Sequence, residues 1–249
     1  CGESYNYYMK KWGCNFSIPF SAFHSYSRED SIAMNKFCTP LEEHYRNFNN
    51  KIGEMLPAFI IWNSTSEDYK KINPNKNNQN SLHPKIFGDN WSDDLDIIDK
   101  EEIKKYFGKF YQIKKKFGFL SFKIGKSEFN IKFSNRKEGI QFQTPRNSLI
   151  YSIKNNIFDD LLIGNFMKVK LINVPSLYPN FTPYVTKYGD NGLSTSKEQL
   201  KKYFEYYKFN STNYWLDFLK LKTEQVIRNK IQNFRSIYYI ARKVKRNLN

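Results

Sequence analysis

Histidine and cysteine are scarce in this chain, three of each in 249 residues, and neither type is grouped. Cys1, Cys14 and Cys38 have no CxxC spacing, so they form neither a zinc signature nor a disulfide framework. A reducing cytoplasm is the simplest setting for such a chain. No two of His24, His44 and His83 are close in sequence. The P-loop, Rossmann and GxSxG fingerprints are missing, as is HExxH, so kinases, nucleotide dehydrogenases, serine hydrolases and zincins gain no support. No stretch reaches the roughly 18 consecutive apolar residues of a membrane span, and no signal peptide opens the sequence. The first residue is Cys1 instead of methionine, as in a fragment or a trimmed product.

Acidic residues are also few, 24 against 40 lysines and arginines, for a formal net charge of +16. That sign favours polyanionic partners such as nucleic acid, anionic membrane or phosphorylated substrates. Part of it is compositional, because a bias toward Lys, Asn, Ile, Tyr and Phe is what an AT-rich genome produces. What the chain has in quantity is aromatic residues, 22 Phe, 18 Tyr and 4 Trp, enough to build a core without disulfides. Its length suits one large domain or two smaller ones.

Periodicity sketches an α+β protein. Tyr5 to Trp12 reads as the end of a helix stopped by Gly13. A helix is predicted to start at Leu41, Met55 to Trp62 forms a second short apolar run, and residues 63–84 read as loop or linker. The acidic patch from Asp89 to Glu102 fits helix capping better than catalysis. A helix over Lys100 to Lys116 follows, with Ile103, Tyr106, Phe107, Phe110 and Ile113 as its apolar positions. Phe117 to Phe133 predicts a hairpin turning at Gly125, Gly139 to Thr144 a strand, Pro145 to Asn156 a helix, and Met167 to Leu171 a further strand. Tyr178 to Tyr188 reads as an irregular packed loop and residues 189–192 as a turn. Ser196 caps a helix, and a last one covers roughly Tyr214 to Asn247, with Ile227, Ile231, Phe234, Tyr238 and Ala241 on one face. From Lys220 to the end, nine Lys/Arg stand against the single Glu224. A solvated basic face or a contact with anionic lipid or nucleic acid both fit that imbalance.

The stretch with the clearest chemical content is Asn15 to Asp30. Phe16, Ile18 and Phe20 alternate as in a half-buried strand, expected to stop near Phe20 to Phe23, and a polar loop carrying His24, Tyr26, Arg28, Glu29 and Asp30 follows. Loops leaving strand ends are where functional groups gather. His24 there can ligate a metal, act as a general base or bond a neighbour as a structural histidine. Arg28 is placed to meet an anionic substrate, with an ion pair to Glu29 or Asp30 as the alternative.

Several motifs together resemble a known family: IPFSAFHSYSRED (18–30), KFCTP (36–40), MLPAFI (55–60), FGDNWSDDLD (87–96), TPRNSL (144–149), FDDLLIGNFMKVKL (158–171) and SLYPNFTPYVTKYGDNG (176–192). In this order they resemble the C-terminal half of bacterial metallo-β-lactamase-fold proteins, similar to the lactamase-like part of CMP-N-acetylneuraminate hydroxylase, over about residues 10–245. The resemblance implies an αββα sandwich that ends at about residue 75, an α+β extension over 76–190 and a basic helical region over 191–249. It implies a metal-dependent hydrolase using zinc or another divalent ion, with His24 as the last metal-ligating histidine and a phosphoester or sugar nucleotide as the anionic small-molecule substrate. The family's His-X-His-X-Asp-His motif is not in this chain. Two alternatives stand beside the hydrolase. One is an accessory region, its α+β part resembling small lipid-carrier domains, that binds an anionic membrane or nucleic acid. The other is a hydroxylase-related protein acting on sugar nucleotides, although no Rieske-type Cys/His pair is present.

Overall fold

A computed structural model describes residues 2–19, 25–72 and 80–231. The chain is mixed α+β with small open sheets, and it divides into two compact units, residues 1–87 and 88–249. The sequence reading had set its divisions at 75/76 and 190/191.

In the first unit α1 (Gly2–Trp12) ends immediately before Gly13, as expected. Strand β1 (Phe16–Ser17) pairs in parallel with β2 (Glu54–Met55). It is shorter than its alternation predicts and stops two residues ahead of Pro19, which has no N–H to continue a ladder. The run from Met55 to Trp62 is not one strand either. Pro57 and the left-handed Phe59 (φ 56°) break it, so β3 (Ile60–Asn63) is a separate element. It pairs antiparallel with β4 (Asp68–Lys71), so part of the stretch expected as linker is a hairpin. Its turn is seeded by Asn63, whose Oδ1 accepts from the N–H of Thr65 (3.0 Å) and Ser66 (3.4 Å). A 3-10 turn (Ile32–Phe37) and the short α2 (Leu41–Tyr45) lie between β1 and β2.

The second unit opens with the acidic patch, and its aspartates cap. Asp96 and Asp99 form a capping box at the start of α3 (Ile97–Gly108). Asp94 accepts from the N–H of Lys126 (2.8 Å) and Ser127 (3.0 Å). Those backbone bonds hold its carboxyl below the usual carboxylate range, and the bond from the Asp99 N–H does the same for Asp96. The helix expected to run unbroken to Lys116 is two helices, α3 and α4 (Tyr111–Lys116). Phe110 leaves the helical region (ψ 105°), and the Tyr111 N–H bonds the Thr195 carbonyl at 2.9 Å instead of a helical one.

Strands β5 (Phe119–Ile124) and β6 (Ser127–Lys132) form the expected hairpin around Gly125, whose φ of 59° suits the two-residue turn. Strand β7 (Gly139–Gln143) runs parallel to β5 and is joined antiparallel by β8 (Lys168–Ile172), giving the order β6-β5-β7-β8. Between β7 and β8 lie α5 (Arg146–Asn155) and α6 (Phe158–Ile163). The patch holds α5 too. Asp89 accepts from the Ser148 N–H (2.9 Å) and hydroxyl (2.5 Å), and Arg146 donates to Asp96 (2.9 Å) and Asp99 (2.5 Å).

One sheet face carries Leu120, Phe122, Ile140 and Phe142, fully buried beneath Phe107, Leu149 and Phe158 of the helices. Phe107 contacts Phe122 at 5.2 Å between ring centroids, and Phe142 contacts Phe158 at 5.6 Å. The other face is polar, with Ser121 donating to Glu128 (2.7 Å).

The segment expected as an irregular loop contains a π-helix, Pro183–Asp190, after the cis Tyr178–Pro179 bond. Gly189 lets it close on α3 and α4, because a Cβ there would run into the Phe110 ring and the Tyr184 carbonyl. Ser196 and Gln199 make a capping box for α7 (Lys197–Asn210), which rests on the π-helix through Tyr188 against Tyr203 (5.2 Å) and Phe204 (5.0 Å). Burial there pushes the Tyr188 phenol up to about 12. Helix α8 spans Tyr214–Ile231, and the apolar stripe expected from Ile227 to Ala241 lies outside the described side chains.

Phe107→Ala is expected to cost about 3–5 kcal/mol of unfolding free energy in urea titration, whereas Ile98→Ala on the exposed side of the same helix stays within about 0.5 kcal/mol. Equal losses would mean that the core is not where the ring contacts put it.

Candidate functional site

The loop that leaves β1 is clamped on its downstream side. The N–H of Tyr26 donates to Asn35 Oδ1 (2.6 Å), and Asn35 Nδ2 returns a bond to the Tyr26 carbonyl (2.8 Å). Arg28 gives Asp30 two parallel bonds, Nε to Oδ1 at 2.7 Å and the terminal nitrogen to Oδ2 at 3.0 Å, with both side chains largely buried. Two-pronged pairing of this kind fixes both partners. Backbone bonds from Glu29 N–H to the Leu82 carbonyl (3.0 Å) and from Leu82 N–H to the Ser27 carbonyl (2.7 Å) tie the loop to the end of the unit. The guanidinium also lies 5.6 Å from the Phe87 ring. Arg28, singled out as a substrate contact, is thus engaged by Asp30, the alternative its sequence neighbours offered. His24, the expected metal ligand, lies outside the described residues.

The other histidines are accounted for locally. His44 is buried and its Nδ1 lies 3.1 Å from the Tyr5 hydroxyl, while His83 Nδ1 accepts from the Lys85 N–H at 3.2 Å. Among the described residues no three of His, Cys, Asp and Glu converge as a metal-binding group. Taken alone, then, these residues do not fit a zinc centre, and a metal here needs His24 together with ligands from elsewhere.

A second polar centre lies in the core of the 88–249 unit, where sequence reading saw only a turn residue. The Asp190 side chain is fully buried at the end of the π-helix. Its Oδ2 accepts from the Tyr106 hydroxyl (2.5 Å) and the Phe158 N–H (3.3 Å), and its Oδ1 faces Lys109 Nζ at 3.6 Å. Lys109 donates in turn to Asn156 Oδ1 (2.6 Å) and sits over the Tyr106 ring, 4.1 Å from its centroid. Burial raises the Asp190 carboxyl above the ordinary carboxylate range, and the bonds from Tyr106 and Phe158 and the charge of Lys109 offset this only in part. Burial also raises the Tyr106 phenol and lowers the Lys109 amine. The centre joins α3, α6 and the π-helix through one carboxylate. Against known protein families, curated proteins and solved structures, the chain finds no significant match.

Perturbed groups in a cleft suggest catalysis, but Asp190 has no solvent-exposed surface on its side chain and every neighbour named above belongs to the fold. The arrangement can hold a proton and fix three elements. It offers no exposed reacting atom except the partly exposed Lys109 amine. No sequence signal marked it, because the Gly-Asp-Asn-Gly string resembles a surface turn and Tyr106 reads as one more core aromatic.

The pH dependence follows from the direction of the Asp190 shift. An acid whose folded value is raised binds more protons folded than unfolded between the two values, so stability falls as pH rises through that interval. Relative to Asp190→Asn, the wild type should lose urea resistance as pH climbs from the ordinary carboxylate range and then level off. A difference that grows with pH over the same window would mean that the Lys109 ion pair outweighs burial.

Proposed function

We propose that this chain is the C-terminal portion of a metal-dependent hydrolase of the metallo-β-lactamase fold, supplying one ligand, His24, to a centre whose other ligands lie in the family's upstream motifs. The observation that carries the reading is the clamped loop. Tyr26 is bracketed by Asn35 and Arg28 is locked to Asp30, so the backbone of residues 26–30 is held by polar contacts. Polar effort of that kind, spent on an irregular segment at a strand exit, is what positioning a ligand requires. The collinear order of the motifs supports the same reading.

His24 would be this chain's ligand to a divalent ion, which at such a centre would supply a water of lowered pKa and polarise the scissile bond. The chain's own contribution is positional. Asp30 holds the Arg28 guanidinium so that it does not wander into a neighbouring site, and an anionic substrate, a phosphoester or sugar nucleotide, competes with that carboxylate for it. The aspartates of the FGDNWSDDLD motif are engaged within the fold, Asp89, Asp94 and Asp96 by backbone N–H groups and Asp93 by the Asn90 side chain.

The test is elemental analysis of the protein carrying the upstream residues, wild type against His24→Ala, with matched circular dichroism as the folding control. The wild type should hold one or two divalent ions per chain, by the metal counts usual for such hydrolase sites, and the variant should lose at least one. Full metal retention in the folded variant would remove His24 from the ligand set, and a metal-free wild type would remove the hydrolase reading altogether.

A further inference from the structure

The last described residues present an apolar surface that a folded protein in water does not ordinarily leave bare. From Glu205 onward every described side chain is exposed or half-exposed, and none of the described residues of α8 is buried. Phe209 is 90% exposed, Trp215 62%, Leu216 60%, Leu219 59% and Val226 55%. At about 100° per residue, Trp215, Phe218, Leu219, Lys222 and Val226 fall in one stripe about 100° wide along α8, with Asp217 on the opposite side. A helix of this length draws its stability from packing such a face against something.

Charge accompanies the stripe. Between Lys197 and Ile231 there are eight lysines and arginines against four acidic residues. The lysines are set among the rings. Lys208 Nζ lies 5.0 Å from the Trp215 ring centroid and 5.9 Å from that of Tyr214, and Lys222 Nζ lies 5.6 Å from that of Phe218. Aliphatic side chains, aromatic rings and lysines with long apolar stems, gathered along the α8 stripe and the adjoining end of α7, match the layers of a membrane interface. No described helix is long and apolar enough to cross a membrane, so the element suited to this environment is one that lies on it.

Two other occupants fit less well. The core of a protein interface is depleted in lysine, yet Lys222 lies within the α8 stripe and Lys208 of α7 reaches over the Trp215 ring. Single-stranded nucleic acid stacks on rings and pairs with lysines, but it offers no apolar phase in which to bury Leu216, Leu219 and Val226.

We propose that α7 and α8 form an arm that docks the protein on an anionic lipid bilayer, α8 lying in the plane of the surface with Trp215, Leu219 and Val226 at the headgroup–acyl boundary and Lys208 and Lys222 on lipid phosphates. The proposal does not rest on the hydrolase reading. An arm of this kind brings the protein to its surface by two additive terms, charge attraction that salt screens and apolar insertion that salt does not.

Co-sedimentation of the full chain with vesicles tests it. Binding to phosphatidylcholine vesicles containing phosphatidylglycerol should exceed binding to phosphatidylcholine alone and weaken with added salt. Lys208→Gln with Lys222→Gln should reduce affinity about thirtyfold, from about fivefold per lysine. Leu219→Ser should reduce it about tenfold, and neither change touches a buried residue. Brominated lipid should quench part of the tryptophan emission, and Trp215→Phe should abolish that part. Equal binding to both vesicle types, or unchanged affinity in Leu219→Ser, overturns the proposal. Binding to a single-stranded oligonucleotide that the lysine pair weakens and Leu219→Ser leaves intact, with no vesicle binding, replaces it with nucleic-acid recognition. Self-association dissolved by Leu219→Ser, again without vesicle binding, replaces it with a contact between copies.

Discussion

Seven phenylalanines, Phe107, Phe110, Phe117, Phe122, Phe142, Phe158 and Phe181, are fully buried in the larger unit, and the order of everything around them depends on that burial. The chain carries 16 more positive than negative charges, so the folded state works against its own repulsion. Large planar side chains offset this efficiently, because each removes much apolar area from water with only two torsions to fix. The sheet is small, four strands, and its inner face is effectively a bed for those rings. Helices α3, α5 and α6 close over it through Phe107, Leu149 and Phe158. Phe110 stays on the face of Phe107, and its extended ψ (105°) redirects the chain that follows, so that Tyr111 meets the Thr195 carbonyl.

Carboxylates are the scarce resource, and the fold uses them on its own backbone. Asp94 holds a hairpin turn, Asp96 and Asp99 start α3 and grip Arg146, Asp89 starts α5, and Asp190 joins three elements in the interior. Each choice satisfies N–H groups that helix ends and turns would otherwise leave without partners.

The arm of α7 and α8 shows the opposite economy. Rings and aliphatic groups that would be core elsewhere stand in solvent, interleaved with lysines. Where α7 rests on the π-helix, Tyr188, Tyr203 and Phe204 are half-buried against one another. Past Tyr207 no described ring is buried. The transition occurs within one helix, so it is a property of the packing and not of local composition.

Local sequence alone determined the elements whose stabilising groups are near in the chain: the β5–β6 hairpin around Gly125, the capping boxes of Asp96 with Asp99 and Ser196 with Gln199, the ends of α1 and α5, and the apolar positions of α3. Periodicity and capping act over three or four residues, so a linear reading captures them. Tertiary contacts decided the rest. Pairing with a partner strand made β4 out of a polar stretch that reads as linker. The close approach of Gly189 to Phe110, with Tyr106 and Phe158 meeting Asp190, made a π-helix and a buried carboxylate out of a string that reads as an irregular loop and a turn. Asp30 turned Arg28 from an available cation into a held one. In each case the deciding group lies elsewhere on the surface of another element, or competes with solvent in a way that only burial settles, and neither distance nor burial is written in the order of residues.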